Sequence, residues 1–263
     1  MNCSLTKSLK SIPFLKLSHK FDFAEIKREV LNNQCWYDYV PPYFEKTPEL
    51  IKIHSEYKHC ALTTVNPAAA SSIVREHFAW WKSSNNTALQ HYYDIPACDR
   101  IWYATELIDK FPVLYKTLLE ITDRPILCKI VRSGPGHSLG WHSHQNDALL
   151  NNYNKPEQCI LHIPIVTNEE VVHVVRTDFP SDRYTIAELS HLKNDSSMYL
   201  SNFTEGNIWF FNSYYPHAYK NFSSSVRYDL LIYNDMSWNP KLTNLMMKEI
   251  SKYSGPLVEE ACK

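Results

Sequence analysis

In FDFAEIKREVLNN the apolar residues Phe23, Ile26, Val30 and Leu31 recur at helical spacing, and Asp22 precedes them as an N-cap, which predicts an amphipathic helix. CWYDYVPPYF, residues 35–44, reads as irregular surface structure. ATELIDKFPVLYKTLLEI, residues 104–121, predicts a second helix that Pro112 divides. After Pro125 the pattern changes. ILCKIVRS (126–133), CILHIPIVT (159–167), VVHVVR (171–176), NIWFFN (207–212) and SVRYDLLIYND (225–235) are short, rich in β-branched and aromatic residues, and bounded by turn residues. Such segments predict an antiparallel sandwich or barrel. TNLMMKEISKY predicts a closing helix. The expected organisation is one domain over 1–263: a helical and irregular part to about 124, a β-rich core over about 125–240, and a helix over about 241–253.

Composition supports a substantial core, with 44% hydrophobic and 13% aromatic residues. The 27 basic and 28 acidic side chains nearly cancel, and Lys and Arg are scattered, so no field recruits nucleic acid or an anionic membrane. MNCSLTKSLKSIPFLKL lacks an apolar core long enough for a signal peptide, and no run approaches the roughly 18 apolar residues of a span. A cytoplasmic protein is expected. Seven cysteines, with no Cys-x-x-Cys pair, argue against a disulfide framework or zinc knuckle and for reduced thiols. Five glycines are too few for a phosphate loop or dinucleotide fingerprint.

The chemistry concentrates in the β-rich half. PGHSLGWHSHQND, residues 135–147, carries His142-x-His144, and residues two apart on a strand point the same way. His217 follows the apolar NIWFF, and Arg227 lies ten residues further on. Two imidazoles from separate strands are suited to Fe(II), Mn(II) or Zn(II), with an open face for catalysis. An arginine one strand over can clamp a carboxylate through two hydrogen bonds. Each residue also has a plainer reading. His142 can be a solvated loop histidine, His217 a turn histidine after Pro216, and Arg227 a partner of Asp229 two residues on. His137 and His162 read as structural. Trp141, Trp209, Phe210, Phe211, Tyr214 and Tyr215 read as core rather than as a base-stacking platform, because no Lys or Arg is interleaved.

The ordered set resembles the aspartyl/asparaginyl β-hydroxylase-like family of Fe(II)/2-oxoglutarate dioxygenases. The matching pieces are PG at 135–136, His142, LHIPIVTN at 161–168, EGNIWFFN at 205–212, His217, Arg227 and NDMSWNP at 234–240. IPFLKLSHKFDFAEIKREV is similar to the family's N-terminal strand and helix. The resemblance implies an α+β, mainly β fold, a double-stranded β-helix of jelly-roll or cupin type, flanked by helices of the N-terminal part. It implies Fe(II) held by His142 and His217, 2-oxoglutarate held by Arg227, O2 as oxidant, and hydroxylation of an amino acid, peptide side chain or small polar metabolite. The third protein position on the metal is open between His144, Asp147 and water. Ile160 stands where the family has a further basic contact, which leaves His162, Arg132 or a nearby tyrosine to help hold the co-substrate. The long stretch 171–197 reads as a loop over the barrel mouth, from which His173, Arg176, Asp182, Arg183 and His191 would meet substrate.

Two other readings stand beside this one. Gly136 followed by His-x-His, and Gly206 followed by His217, fit part of a cupin signature, so a three-His dioxygenase without 2-oxoglutarate is the first. The second is a non-catalytic barrel used as a binding module. The expected partner is a small-molecule or peptide substrate, with neither nucleic acid nor membrane, and the oligomeric state is open.

Overall fold

The structure is a computed structural model that describes residues 8–9, 11–33, 35–38, 56–64, 103–123, 127–142, 158–176, 198–213, 215–236 and 239–253. The first strand is β1 (Phe14–Leu17). Asp22 accepts the Glu25 amide at 3.1 Å and starts α1 (Phe23–Asn32), as its position ahead of the apolar stripe predicts. Ile26 and Val30 are buried, whereas Leu31 is 43% exposed, so the stripe is narrower than the sequence pattern suggests. Short strands follow: β2 (Tyr37–Asp38), β3 (Tyr57–Ala61), β4 (Thr63–Thr64) and β5 (Tyr103–Ala104). Pro112 starts α2 (Pro112–Ile121) after a 3-10 turn at Glu106–Lys110. Its ring lacks an N–H that the first helical position does not need. No side chain of Phe111 caps this helix. Instead Glu29 of α1, itself buried, accepts the amides of Val113 at 2.8 Å and Leu114 at 3.0 Å. A carboxylate there satisfies two orphan donors and favours the helix dipole. Glu29→Ala is therefore expected to destabilise the protein by about 1–3 kcal/mol in chemical denaturation.

The remaining strands are β6 (Leu127–Ser133), β7 (Ser138–His142), β8 (Gln158–Val166), β9 (Val171–Arg176), β10 (Met198–Ser201), β11 (Ile208–Phe211), β12 (His217–Asn221) and β13 (Arg227–Asp235), followed by α3 (Pro240–Ile250). They are laid down alternately in two sheets. One has the order β1-β11-β8-β13-β6-β3-β2 and the other β10-β9-β12-β7. Successive strands switch sheets, except at the β9–β10 pair, and the pairings along both sheets are antiparallel. Eight strands wound this way make a double-stranded β-helix, here β6 to β13. β1 extends the larger sheet at one edge, and β3 and β2 extend it at the other.

Alternation along β8 and β13 divides the molecule. Leu161, Ile163 and Ile165, with Leu230 and Ile232, face the buried cluster that includes Ile26, Val30, Leu114 and Leu118 of the helices. His162, Arg227 and Asp229 have the opposite parity and point into the barrel. Two turns need glycine. Gly136 and Gly206 have φ of 71° and 67°, a region L side chains rarely adopt. At the β12–β13 end, Asn221 donates to the carbonyls of Gly134 at 3.0 Å and Ser225 at 2.8 Å, tying two turns together. Thr122, Asn234 and Asn239 form a buried hydrogen-bonded trio where α2, β13 and α3 meet. Among the described cysteines, Cys35, Cys60, Cys128 and Cys159 are free thiols. No helix among the described residues is long and apolar enough to cross a membrane.

Candidate metal and co-substrate site

The ladder between β12 and β7 sets His217 opposite His142. His142 ends its strand and His217 begins its own, so the two backbones meet at one end of the smaller sheet. His217 is 3% exposed, and its Nδ1 lies 2.8 Å from the Tyr215 carbonyl oxygen. A carbonyl only accepts, so Nδ1 carries a proton, which leaves Nε2 as the nitrogen a neutral ring would offer to a metal. This is how metal-binding imidazoles are commonly oriented. The Phe211 ring meets the His217 ring edge-on at 4.6 Å and the His162 ring at 5.4 Å, which makes it the wall between the two histidines.

Deeper in the barrel lies a buried charged group. Arg227 is 3% exposed and Asp229 fully buried. One guanidinium nitrogen bonds Asp229 Oδ2 and lies 3.2 Å from His173 Nε2, and the guanidinium sits 4.8 Å over the Tyr219 ring. His162 Nδ1 is 2.6 Å from the same Asp229 oxygen. The Tyr219 hydroxyl bonds Ser133. His173 stacks on Phe203 at 3.9 Å. Burial holds the His173 pKa well below the usual imidazole range, and the charge of Arg227 adds to this, so His173 is neutral and accepts from the arginine. Burial also raises the Tyr219 pKa, which keeps its hydroxyl protonated. Burial alone would lower the Arg227 pKa, but Asp229 and Tyr219 outweigh it and the guanidinium is charged. Arg227 Nε and Asp229 Oδ1 are among the buried atoms that have no hydrogen-bond partner among the described residues. A charged donor and acceptor left unpaired inside a protein are costly, and their presence marks a place for a polar ligand.

One donor atom each from His162, His173 and Asp229 lie within 4.8 Å of one another. Two imidazoles and a carboxylate are a donor set that divalent metals take. Here the guanidinium already sits among them as the cation, bonded to two of the three.

The residues singled out in the sequence thus divide into several groups. His217, Arg227 and His162 are brought into one interior, and the backbone of His142 joins them across the ladder. The His142 side chain, and His144, Asp147, Asp182, Arg183 and His191 entirely, lie outside the described residues. Arg132 has the parity of Ile130, on the helix side of the sheet, and pairs with Glu56 at 3.7 Å, so alternation carries it away from Arg227. Arg176 ends β9, where its amide donates to the Pro216 carbonyl at 2.9 Å. It has the parity of Val174, which packs on Trp141 and Met198, not that of His173. His173 itself corrects the expectation that it reads substrate from a loop: it is 1% exposed inside the barrel. Its strand VVHVVR marks it, since a lone histidine among valines needs a buried partner. His137 stacks on Tyr57 at 4.7 Å, and Trp141, Phe210 and Phe211 are buried, all as structural roles predict.

No family model matches the chain, and neither does any curated protein. Among solved structures it is similar to HygX from Streptomyces hygroscopicus with nickel and 2-oxoglutarate bound, at 12% identity over 89% of this chain and 87% of that one, TM-score 0.44. It is also similar to the non-heme alpha ketoglutarate dependent epimerase SnoN from nogalamycin biosynthesis, at 10% identity over 88% and 81%, TM-score 0.41. A cupin domain from Bordetella pertussis Tohama I matches 42% of this chain and 81% of its own, at 14% identity and TM-score 0.27. At such scores the double-stranded β-helix rests on the strand order rather than on these similarities.

Proposed function

We propose that this barrel is an Fe(II)- and 2-oxoglutarate-dependent oxygenase, of the aspartyl/asparaginyl β-hydroxylase-like kind that the motif order resembles. Its substrate is an amino acid, a peptide side chain or a small polar metabolite. The observation that carries the reading is the unpaired Nε of a buried, charged Arg227 inside the barrel, on the strand beyond the His142–His217 ladder. The donors fit the group: His217 presents Nε2, and His142 stands opposite it. These two would hold the iron, with His144, Asp147 or water as the further ligand. A bound iron with 2-oxoglutarate would supply the oxidising chemistry of O2. The chain's own part is to bind, orient and exclude water. Tyr215 fixes the tautomer of His217. Arg227 offers Nε to a carboxylate. Phe14, Phe203 and Phe211 pack as a buried apolar cluster beside it and limit water at the site. Arg176, Arg183 and His191 are kept as candidate substrate contacts.

A second reading is favoured by Asp229. It already satisfies one guanidinium nitrogen, as a purely structural arginine would require. A metal-binding barrel without 2-oxoglutarate, or a non-catalytic one, follows from that. Succinate formation separates the two readings. Purified protein with Fe(II), ascorbate, O2 and 2-oxoglutarate is expected to release succinate slowly without substrate and faster with one from a panel of amino acids, peptides and polar metabolites. If iron binds while 2-oxoglutarate is neither bound nor consumed, the second reading holds.

A further inference from the structure

β1 is one edge of the larger sheet and β10 one edge of the smaller, so among the described residues the barrel has a seam where neither strand is paired further. A cavity of about 690 Å³ lies at that seam, a size ordinary for small-molecule sites. Both edge strands line it, with Trp209 of β11 and, from the end of α3, Glu249, Lys252 and Tyr253. It is not the barrel interior. Phe14, which lines the cavity, stacks on Phe211 at 5.7 Å, and Phe211 in turn meets His217. Two rings therefore stand between the cavity and the candidate metal ligand.

The lining carries one uncompensated positive charge. Lys252 pairs with Glu249 at 3.3 Å, and Glu249 also accepts from Ser18 at 3.3 Å, so that carboxylate is occupied. Burial, with Tyr199 nearby, raises the Tyr253 pKa and keeps its hydroxyl neutral. Lys16 makes no ion pair among the described residues. Directly across the ladder from it stands Trp209, whose Nε1 is buried without a hydrogen-bond partner among the described residues. Residues opposite each other share a face of the sheet with Cβ atoms about 5 Å apart, so one acceptor group can meet both donors. A buried N–H without an acceptor is costly, and a ligand oxygen there removes the cost. Around this pair the walls are aromatic: Phe14, Tyr199 and Tyr253, with the Trp209 ring itself held against Phe203 at 4.9 Å.

We propose that the seam between β1 and β10 is a second ligand site, which takes a small organic acid with a flat apolar body. Its carboxylate bridges the Lys16 ammonium and the Trp209 indole N–H, and its body lies among Phe14, Tyr199 and Tyr253. A neutral ligand would satisfy the indole and leave the ammonium uncompensated, which is why the class is an acid. The site stands apart from the oxygenase reading, since it uses none of the residues assigned to iron or 2-oxoglutarate.

The probes are 1-naphthylacetate and its neutral counterpart 1-naphthylacetamide, titrated into the purified protein by calorimetry. The acid is expected to bind saturably and the amide at least about tenfold more weakly, because hydrogen bonds to an ionised group are the stronger ones. Lys16→Met keeps the apolar stem at an exposed position and is expected to weaken the acid by about tenfold or more while leaving the amide nearly unchanged. Trp209→Phe removes the N–H, keeps a ring on Phe203, and is expected to weaken the acid as well. Should that variant not fold, the ratio of acid to amide in wild type and Lys16→Met decides alone. Acid and amide binding alike, an acid affinity that Lys16→Met leaves unchanged, or no saturable binding of either probe each overturns the inference and leaves the oxygenase reading standing.

Discussion

Arg227→Met is expected to lose 2-oxoglutarate affinity by about a hundredfold or more, ~2.7 kcal/mol, and to lose about 3–5 kcal/mol of folding stability. The two losses have different causes. Stability falls because Asp229, fully buried, is left without its cation. Affinity falls because the unpaired Nε and its neighbouring nitrogen are the donors a carboxylate would use. A second substitution separates them. In Arg227→Met with Asp229→Leu the uncompensated charge is gone, and replacing a buried ion pair by apolar residues of similar volume is often neutral. Most of the stability is expected to return while 2-oxoglutarate binding does not. Denaturant midpoints and calorimetric titration of the three proteins measure this. An Arg227→Met/Asp229→Leu protein that still binds 2-oxoglutarate like the wild type would make the arginine a structural residue only.

The second large effect is at His217. His217→Ala removes one of two imidazoles and is expected to weaken Fe(II) or Co(II) binding at least about a hundredfold, since loss of a partner that merely orients a ligand already costs about 10–100-fold. Folding is expected to suffer less, because among the described residues the ring's hydrogen bond goes to a backbone carbonyl and its ring contact is the edge of Phe211. Metal titration followed by cobalt absorption, beside a thermal melt, reads both quantities. Unchanged metal affinity in a folded His217→Ala protein would return His217 to a turn histidine and move the search to His162, His173 and Asp229.

The parts of this molecule that were legible in the chain are those where period and chemistry agree. LCKIVRS, QCILHIPIV and RYDLLIYND are strands because their β-branched and aromatic residues outlast any helical reading, and Pro112 divides its segment because it cannot donate inside a helix. The shorter strands MYLS and HAYKN were not legible: four or five residues of mixed polarity carry no period, and only pairing makes them strands, MYLS with β9 and HAYKN with β9 and β7. Within the site, Arg227 and Asp229 could be paired by parity, since residues two apart on a strand share a face. His162 and His173 could not be joined to them, because only the winding of the two sheets brings β8, β9 and β13 around one interior. Glu29 was hidden for the same reason: it looks like the polar side of α1 and serves the N-terminus of another helix.

The most direct test of the whole account is an anaerobic titration of the metal-free protein with Fe(II) and then 2-oxoglutarate, followed by visible absorption. The wild type is predicted to develop the metal-to-ligand charge-transfer band of a chelated 2-oxo acid. The folded Arg227→Met/Asp229→Leu protein is predicted to bind iron and show no band at the same ligand concentration. Iron binding by the wild type without any band on adding 2-oxoglutarate would contradict the account.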